Sequence, residues 1–170
     1  MTDLTIANFN AMPVEESIAC LRRLCGAAAW CHQMSLARPI DSLDAIHRAA
    51  TLAFDGLRES DWREAFAAHP KLGDLRSLQM KYAGNREWSG GEQADVGQAA
   101  EETLRELARL NAEYEAKFDC IFILCATGKS ASQMLEALRA RLPHSPNQEL
   151  PIAAAEQRKI THLRIDKLFA

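Results

Sequence analysis

Apolar residues recur every three or four positions along most of the chain, which is the repeat of an α-helix. Pro13 can open a first helix, with Ile18 and Leu21 on its inward face. Ser42 precedes a second helix, because a serine side chain can accept hydrogen bonds from the free N–H groups of a first turn. Its apolar residues keep the helical spacing: Leu43, Ile46, Ala50, Phe54 and Leu57.

A short third helix follows, capped by Ser60 and carrying Trp62 and Phe66. It leads into the pair His69-Pro70. Because proline disfavours the α conformation at the residue before it, the helix should end near His69.

The second half begins less regularly, with glycines that predict one short helix near residues 75–82 and then a loop. A long charged helix is predicted over residues 92–116. The apolar run 120–126 is too short to be assigned by periodicity, and we interpret it as a buried extended link. Inward residues of the long helix should be Leu104, Leu107, Leu110 and Tyr114.

Two further helices complete the pattern. Ser130 and Gln133 form a capping box for a helix over residues 131–141. Residues 142–151 are interpreted as a loop, and a last helix runs from about 150 to 167 with Ile152, Ile160 and Leu163 inward. The prediction is an all-α fold: a single compact domain over residues 1–170, with about seven or eight helices.

Charge and composition narrow the classes of function. The net charge is −3 and no basic block occurs, which argues against nucleic acid as a partner. No apolar run approaches the roughly 20 residues of a membrane span. The N-terminal sequence does not resemble a signal peptide, and five cysteines, an odd number, suggest reduced thiols in a cytoplasmic protein.

The familiar nucleotide and metal motifs are incomplete in this sequence. The stretch "ATGKS" ends like a phosphate-binding loop, but Ile123 stands where that motif needs its first glycine. The cysteines form no C-x-x-C pair, and no H-E-x-x-H pattern occurs. We therefore expect no nucleotide and no metal.

Two stretches are more informative, and each has two interpretations. Ser89 and Glu92 have the spacing of a capping box at the start of the long helix. His69 can be a partly exposed residue at a helix C-terminus, where the dipole favours its charged form. Alternatively, a histidine at one helix end that faces a carboxylate at the start of another forms a general acid–base pair.

Five stretches, in this order, resemble the motifs of one known family: "ARPIDSLDAIHRAA", "AAHPKLG", "WSGGEQADVG", "LNAEYEAKFDCIFILCATGKS" and "EQRKITHLRIDKL". The second is similar to the family signature A-H-P-x-L-G, and the third to S-x-x-E-Q-x-x-x-G. The family is 2-oxo-4-hydroxy-4-carboxy-5-ureidoimidazoline (OHCU) decarboxylase, the last enzyme of urate breakdown to (S)-allantoin.

The resemblance implies an all-α homodimeric enzyme with a small-molecule substrate and with neither metal nor organic cofactor. Its motifs place the catalytic pair at His69 and Glu92. They also imply substrate contacts at Pro70, Ser89, Gln93 and Arg164, and at the backbone of Phe122, Ile123, Leu124, Cys125 and Ala126.

Two alternatives stay open at this point. One is a helical binding domain that kept the fold and lost the activity. The other is a lyase that acts on a related ureido acid. Arg164 also has a structural interpretation, as a partner for the carbonyl groups at a helix C-terminus.

Overall fold

The computed structural model describes residues 4–69 and 93–169, and for residues 93–100 it describes the backbone alone. These residues form eight α-helices and no strand, which confirms the all-α prediction for the described part of the chain. The helices are α1 (Ile6–Ala11), α2 (Val14–Arg22), α3 (Ala28–Leu36), α4 (Leu43–Asp55), α5 (Glu59–Ala67), α6 (Gln93–Phe118), α7 (Ala131–Arg141) and α8 (Pro146–Leu168).

Residues up to His69 and residues from Leu150 onward form one compact unit. Within it, α3 packs against α2, α4 and α5. Trp30 is fully buried at the centre and its indole N–H donates to the backbone oxygen of Ala50 at 3.2 Å. Apolar residues from five helices and the C-terminal part of α8 surround it, among them Phe9, Leu21, Met34, Ile46, Phe54 and Ile165.

Gly26 makes a close approach between two chain segments possible in this unit. A Cβ atom at position 26 would lie 2.3 Å from the Cβ of Ala68, and 3.4 Å from the backbone oxygen of Glu64. Real Cβ atoms do not approach so closely, so a side chain here would push the end of α5 away. Because Ala68 precedes His69, this contact sets where the histidine lies.

The described residues from 93 to 149 belong to a second compact unit, in which α6 packs against α7. Leu104, Leu107, Leu110 and Tyr114 are all buried, as the helical repeat predicted. Asp119 follows α6 with φ of 52°, the left-handed conformation that commonly ends a helix. The capping box of α7 is also confirmed, since Ser130 accepts from the backbone N–H of Gln133 and the Gln133 side chain accepts from that of Ser130.

Several predicted boundaries are wrong for identifiable reasons. Of the predicted loop over 142–151, residues 142–145 are non-helical as expected, but residues 146–151 are the start of α8, which Pro146 opens behind Ser145. Pro151 suggested a break, yet it lies near the start of the helix, where its missing N–H leaves only the Asn147 carbonyl without its usual partner. Nor does Ser60 cap α5, because Arg58 precedes the helix and its N–H donates to Asp61 at 2.9 Å.

The inward face of α8 also differs from the prediction. Ile152 is 37% exposed, and Ile160 and Leu163 are half-buried. From residue 151 to the end of the helix, the buried positions are instead Ala153, Gln157, Thr161, Ile165 and Leu168.

Helices α1 and α3 carry no clear sequence signal. The first has only six residues, which is less than two turns. In α3 the residue types do not separate by face, because Leu36 is 65% exposed whereas Ser35 is buried. The short helix predicted near residues 75–82 lies outside the described residues.

Candidate functional site

His69 lies just past the end of α5, as predicted. Its backbone N–H donates to the oxygen of Phe66 at 3.0 Å, which continues the last turn of the helix by one hydrogen bond. The imidazole is half-buried. A histidine held this way has a fixed backbone and one accessible side, which suits a group that must meet a small molecule.

The imidazole binds a residue that sequence reasoning missed. Nε2 of His69 lies 2.6 Å from Oε1 of Gln157, which is 1% exposed on α8. The amide nitrogen of Gln157 donates to the hydroxyl of Thr161 at 3.1 Å, one turn further along the same helix. Gln157 is therefore held at both ends of its amide.

Arg164 lies in the next turn of α8, within the same unit. Its Nη1 donates to the backbone oxygen of Leu24 at 3.0 Å, just beyond the end of α2. That carbonyl also lies 3.4 Å from the Thr161 hydroxyl. In the described part of the chain the guanidinium has no further hydrogen bond, so Nε and Nη2 are open to another partner there.

Electrostatics at His69 favour the neutral imidazole. Burial lowers the pKa of His69 below its usual value, the hydrogen bond with Gln157 acts in the opposite direction, and the positive charge of Arg164 lowers it further. A neutral imidazole near neutral pH can either accept or donate a proton, as general acid–base catalysis requires.

The predicted backbone window, residues 122–126, lies in the second unit and is neither helix nor strand, as expected. Ile123 is 2% exposed, and its backbone oxygen accepts from Nη1 of Arg141 at 2.8 Å. The Arg141 guanidinium also lies over the ring of Phe122, 4.5 Å from its centroid. This carbonyl of the window is thus already bound by a side chain, and the arginine fixes the path of the link.

A buried carboxylate holds Arg141 in turn. Glu149 is 0% exposed, and its Oε1 accepts from Nε of Arg141 at 2.8 Å and from the Tyr114 hydroxyl at 2.5 Å. His144 lies 2.9 Å from the other oxygen. Burial alone would raise the pKa of Glu149, but the hydrogen bonds from Arg141, Tyr114 and His144 outweigh it and leave that pKa below its usual value.

The remaining residues expected at the site fall in or beside the undescribed segment. Pro70, Ser89 and Glu92 lie outside the described residues. Gln93 is the first residue of α6, and its side chain is not described. The pairing of His69 with Glu92 stays a prediction.

The sequence does contain a signal for Gln157, although a weak one. Positions 153, 157, 161 and 165 repeat every four residues, and Gln157 and Thr161 are polar members of that row. Polar residues in an otherwise inward-facing row must find partners inside the protein. The sequence favours the wrong face of α8, because a face with Ile152, Ile160 and Leu163 is more apolar than the row that contains Gln157 and Thr161.

Neither a metal-binding cluster nor a membrane-spanning helix occurs in the described ranges. In residues 4–69 and 93–169, no group of three or more His, Cys, Asp or Glu side chains is arranged to hold a metal ion. Among the same residues, no helix has the length and apolar character needed to cross a bilayer.

An all-α chain that presents a half-buried neutral histidine, with a buried amide behind it and an arginine nearby, has the groups for acid–base chemistry on a small anionic molecule. A family model described as OHCU decarboxylase matches residues 10–166. The chain therefore belongs to the OHCU decarboxylase family, and it is an enzyme of the carboxy-lyase class.

Individual proteins of related sequence support the same family assignment. The chain is 39% identical over 146 residues to the uric acid degradation bifunctional protein TTL of Arabidopsis thaliana, covering 86% of this chain and 45% of the plant protein. It is 23% identical to the 2-oxo-4-hydroxy-4-carboxy-5-ureidoimidazoline decarboxylase of Haloferax volcanii, over 100% of this chain and 99% of that protein.

A solved structure supports the fold. A crystal structure of OHCU decarboxylase in the presence of (S)-allantoin matches with a TM-score of 0.69 and 37% identity, covering 93% of this chain and 99% of that chain.

Proposed function

We propose that this chain removes CO₂ from 2-oxo-4-hydroxy-4-carboxy-5-ureidoimidazoline and produces (S)-allantoin, the last step of urate breakdown. The family match over residues 10–166 carries the proposal. The hydrogen-bonded His69 and the neighbouring Arg164 supply groups of the required chemistry in one compact unit.

The reaction breaks the bond between carbon 4 and its carboxyl group. CO₂ leaves, the electron pair of the broken bond forms a double bond between carbons 4 and 5, and the C=N electrons move to the ring nitrogen, which takes up a proton. The hydroxyl on carbon 4 then gives up its proton and becomes a carbonyl, while carbon 5 takes up a proton. Because the substrate ring accepts the electrons itself, the reaction has no need of a pyridoxal or thiamine cofactor. The enzyme must deliver the proton to one face to produce a single enantiomer.

We assign His69 to the proton transfer, at the hydroxyl or at the reacting carbon, and Glu92 to orienting the substrate and the imidazole. Arg164 would bind ring or carbonyl oxygens, where negative charge accumulates. A donor held on the departing carboxylate would instead stabilise the ground state and slow the reaction. The rest of the substrate would be contacted by Gln93, Ser89, Pro70 and backbone groups of residues 122–126.

Further proposals concern the whole protein. We propose that residues 1–170 form one domain, that two copies form a homodimer, and that the enzyme works in the cytoplasm. All five cysteines are free thiols, which fits a reducing compartment. Sedimentation equilibrium tests the dimer, which should have twice the 18.9 kDa mass of the chain.

The decisive experiment follows circular dichroism while urate is oxidised in the presence of this protein. Spontaneous decay of the substrate yields racemic allantoin, so an excess of the (S) form demonstrates the activity. We expect His69→Asn to abolish the excess and Glu92→Gln to reduce it strongly, each with an unchanged far-ultraviolet spectrum. His32→Asn, which removes an exposed histidine on α3, should retain full activity.

Each negative outcome has its own meaning. A folded wild-type protein without (S) excess would indicate a binding domain or a lyase for another ureido acid. A fully active His69→Asn variant would remove this histidine from the mechanism while leaving the activity itself in place.

A further inference from the structure

The hydrogen bonds behind His69 have a direction that the backbone determines. The carbonyl oxygens of Gln157 and Leu24 can only accept, and the hydroxyl of Thr161 lies 3.1 Å from the first and 3.4 Å from the second. The single hydroxyl hydrogen of Thr161 is thus directed at a backbone carbonyl. Cys25 is the other group beside this hydroxyl, and burial raises the pKa of its thiol to about 11, so it stays an S–H group and not a thiolate that would compete for the hydroxyl hydrogen.

The Thr161 oxygen must therefore accept from Gln157. The amide nitrogen of Gln157 donates to that oxygen at 3.1 Å, which directs the amide oxygen at the imidazole. The flipped amide would oppose two acceptors, because its oxygen would face a hydroxyl whose hydrogen points elsewhere. The backbone carbonyls thus determine which end of the Gln157 amide meets His69.

An amide oxygen cannot donate, so the hydrogen in the 2.6 Å contact belongs to Nε2 of His69. A neutral imidazole carries one hydrogen on its two nitrogens, and Nδ1 is then left with a free lone pair. Gln157 is 1% exposed, so water competes little for this hydrogen bond.

We propose that Gln157 is a positioning residue that holds His69 in the Nε2–H tautomer and thereby makes Nδ1 the nitrogen that exchanges a proton with the substrate. The catalytic half of this inference rests on the function proposed above. It also restricts Glu92: a carboxylate cannot hydrogen-bond to a bare Nδ1, so Glu92 can pair with the imidazole only when Nδ1 carries a proton, and with the neutral ring it acts on the substrate.

The tautomer is measured directly in the wild-type protein. Long-range ¹H–¹⁵N correlation spectra at pH 8 distinguish a ring nitrogen that carries hydrogen from one that does not. The signals of His69 are those missing from a His69→Gln variant. We expect hydrogen on Nε2 and a bare Nδ1, and the opposite pattern would overturn the inference whether or not the protein makes (S)-allantoin.

Kinetics of two substitutions at one position test the positioning role. Gln157→Met keeps the size of the side chain and removes the acceptor, whereas Gln157→Glu keeps an acceptor and adds negative charge. For Gln157→Met we expect kcat to fall about 10- to 100-fold with little change in KM, because the imidazole is no longer aimed. The acid limb of the kcat/KM profile should move to lower pH in Gln157→Met and to higher pH in Gln157→Glu.

Opposite shifts from the two variants cannot come from a loss of packing alone. Ala153→Gly is the matched control, because it weakens α8 one turn away at another fully buried position without touching the imidazole. It should keep both kcat and the pH profile. An unchanged kcat and pH profile in folded Gln157→Met would overturn the inference.

If wild-type protein produces no (S)-allantoin, the proposed function is wrong, and so is the proposal that Nδ1 of His69 exchanges a proton with the substrate. Spectra of the wild-type protein and of Gln157→Met then still decide whether Gln157 sets the tautomer, since only the variant should lose the preference for hydrogen on Nε2.

Discussion

At the scale of single residues, a second pair of histidines lies against α8. The rings of His47 and His162 stack with centroids 4.9 Å apart, and their Nδ1 atoms lie 2.6 Å from each other. Only one hydrogen fits between these two nitrogens. Nε2 of His47 lies 2.7 Å from Oδ1 of Asp166, so this ring contacts a carboxylate with one nitrogen and His162 with the other.

This arrangement predicts how stability depends on pH. Burial lowers the pKa of His162, and the charges of His47 and Arg158 lower it further against the opposite effect of Asp166. Between this lowered pKa and the ordinary value near 6.5, the unfolded chain binds more protons than the native one. The contribution of His162 to the free energy of unfolding should therefore be fully present above about pH 6.5, and the free energy should decrease as the pH falls below that value.

Urea titrations at a series of pH values measure the effect. His162→Gln should flatten the decline, and the residual slope should include the contribution of His69, whose pKa is lowered as well. His32→Gln serves as control, since His32 is exposed on α3. A decline of unchanged steepness in His162→Gln would contradict this account of the pair.

At the scale of elements, the end of α5 depends on the turn between α2 and α3. Gly26→Ala would place a methyl group 2.3 Å from the Ala68 Cβ, next to His69. Forced crowding of this kind costs about 1–3 kcal/mol. We expect a lower midpoint in urea and also a lower kcat, because the histidine moves with the end of its helix.

Gly56→Ala is the comparison for Gly26→Ala. The nearest atom to its added Cβ is the Ala53 oxygen at 3.8 Å, an ordinary contact, and φ is −86°. Stability and kcat should stay close to wild type or stability should rise slightly. Equal behaviour of the two alanine variants would mean that the close approach at Gly26 does not position His69.

At the scale of the whole molecule, the two compact units raise the question of cooperativity. Arg141→Met leaves the fully buried Glu149 without its main partner, and breaking a buried ion pair in this way costs about 3–5 kcal/mol. Glu149 belongs to the second unit, whereas Trp30 and Trp62 belong to the first. On a Trp88→Phe background, tryptophan fluorescence therefore reports on the first unit alone.

If residues 1–170 are one domain, Arg141→Met should lower the fluorescence midpoint as much as the far-ultraviolet circular dichroism midpoint. Arg139→Met is the matched control, because Arg139 is exposed and lies 3.6 Å from Glu106 in a surface pair that solvent screens, so its loss should shift neither midpoint. An unshifted fluorescence transition beside a shifted dichroism transition would show two independent domains.

The sequence predicted well wherever a helix has one buried face and one solvated face. The second helix is confirmed with its Ser42 cap, and so is the long helix with Leu107 and Tyr114 inward. Prediction failed for helices whose buried face contains both polar and apolar residues. Helix α3 buries Ser35 and exposes Leu36, and the inward row of α8 contains Gln157 and Thr161 in place of the more apolar alternatives.

The sequence by itself determined the all-α class, the position of His69 at a helix end and the resemblance that led to the family. These follow from local rules, since caps, prolines and periodicity act within a few residues of chain. Only the tertiary structure decided which group stands behind the imidazole. Gln157 is 88 residues from His69 in sequence, and a contact over that separation exists only once α5 and α8 have packed. The direction of its hydrogen bond likewise depends on the Leu24 carbonyl, which a third segment of the chain provides.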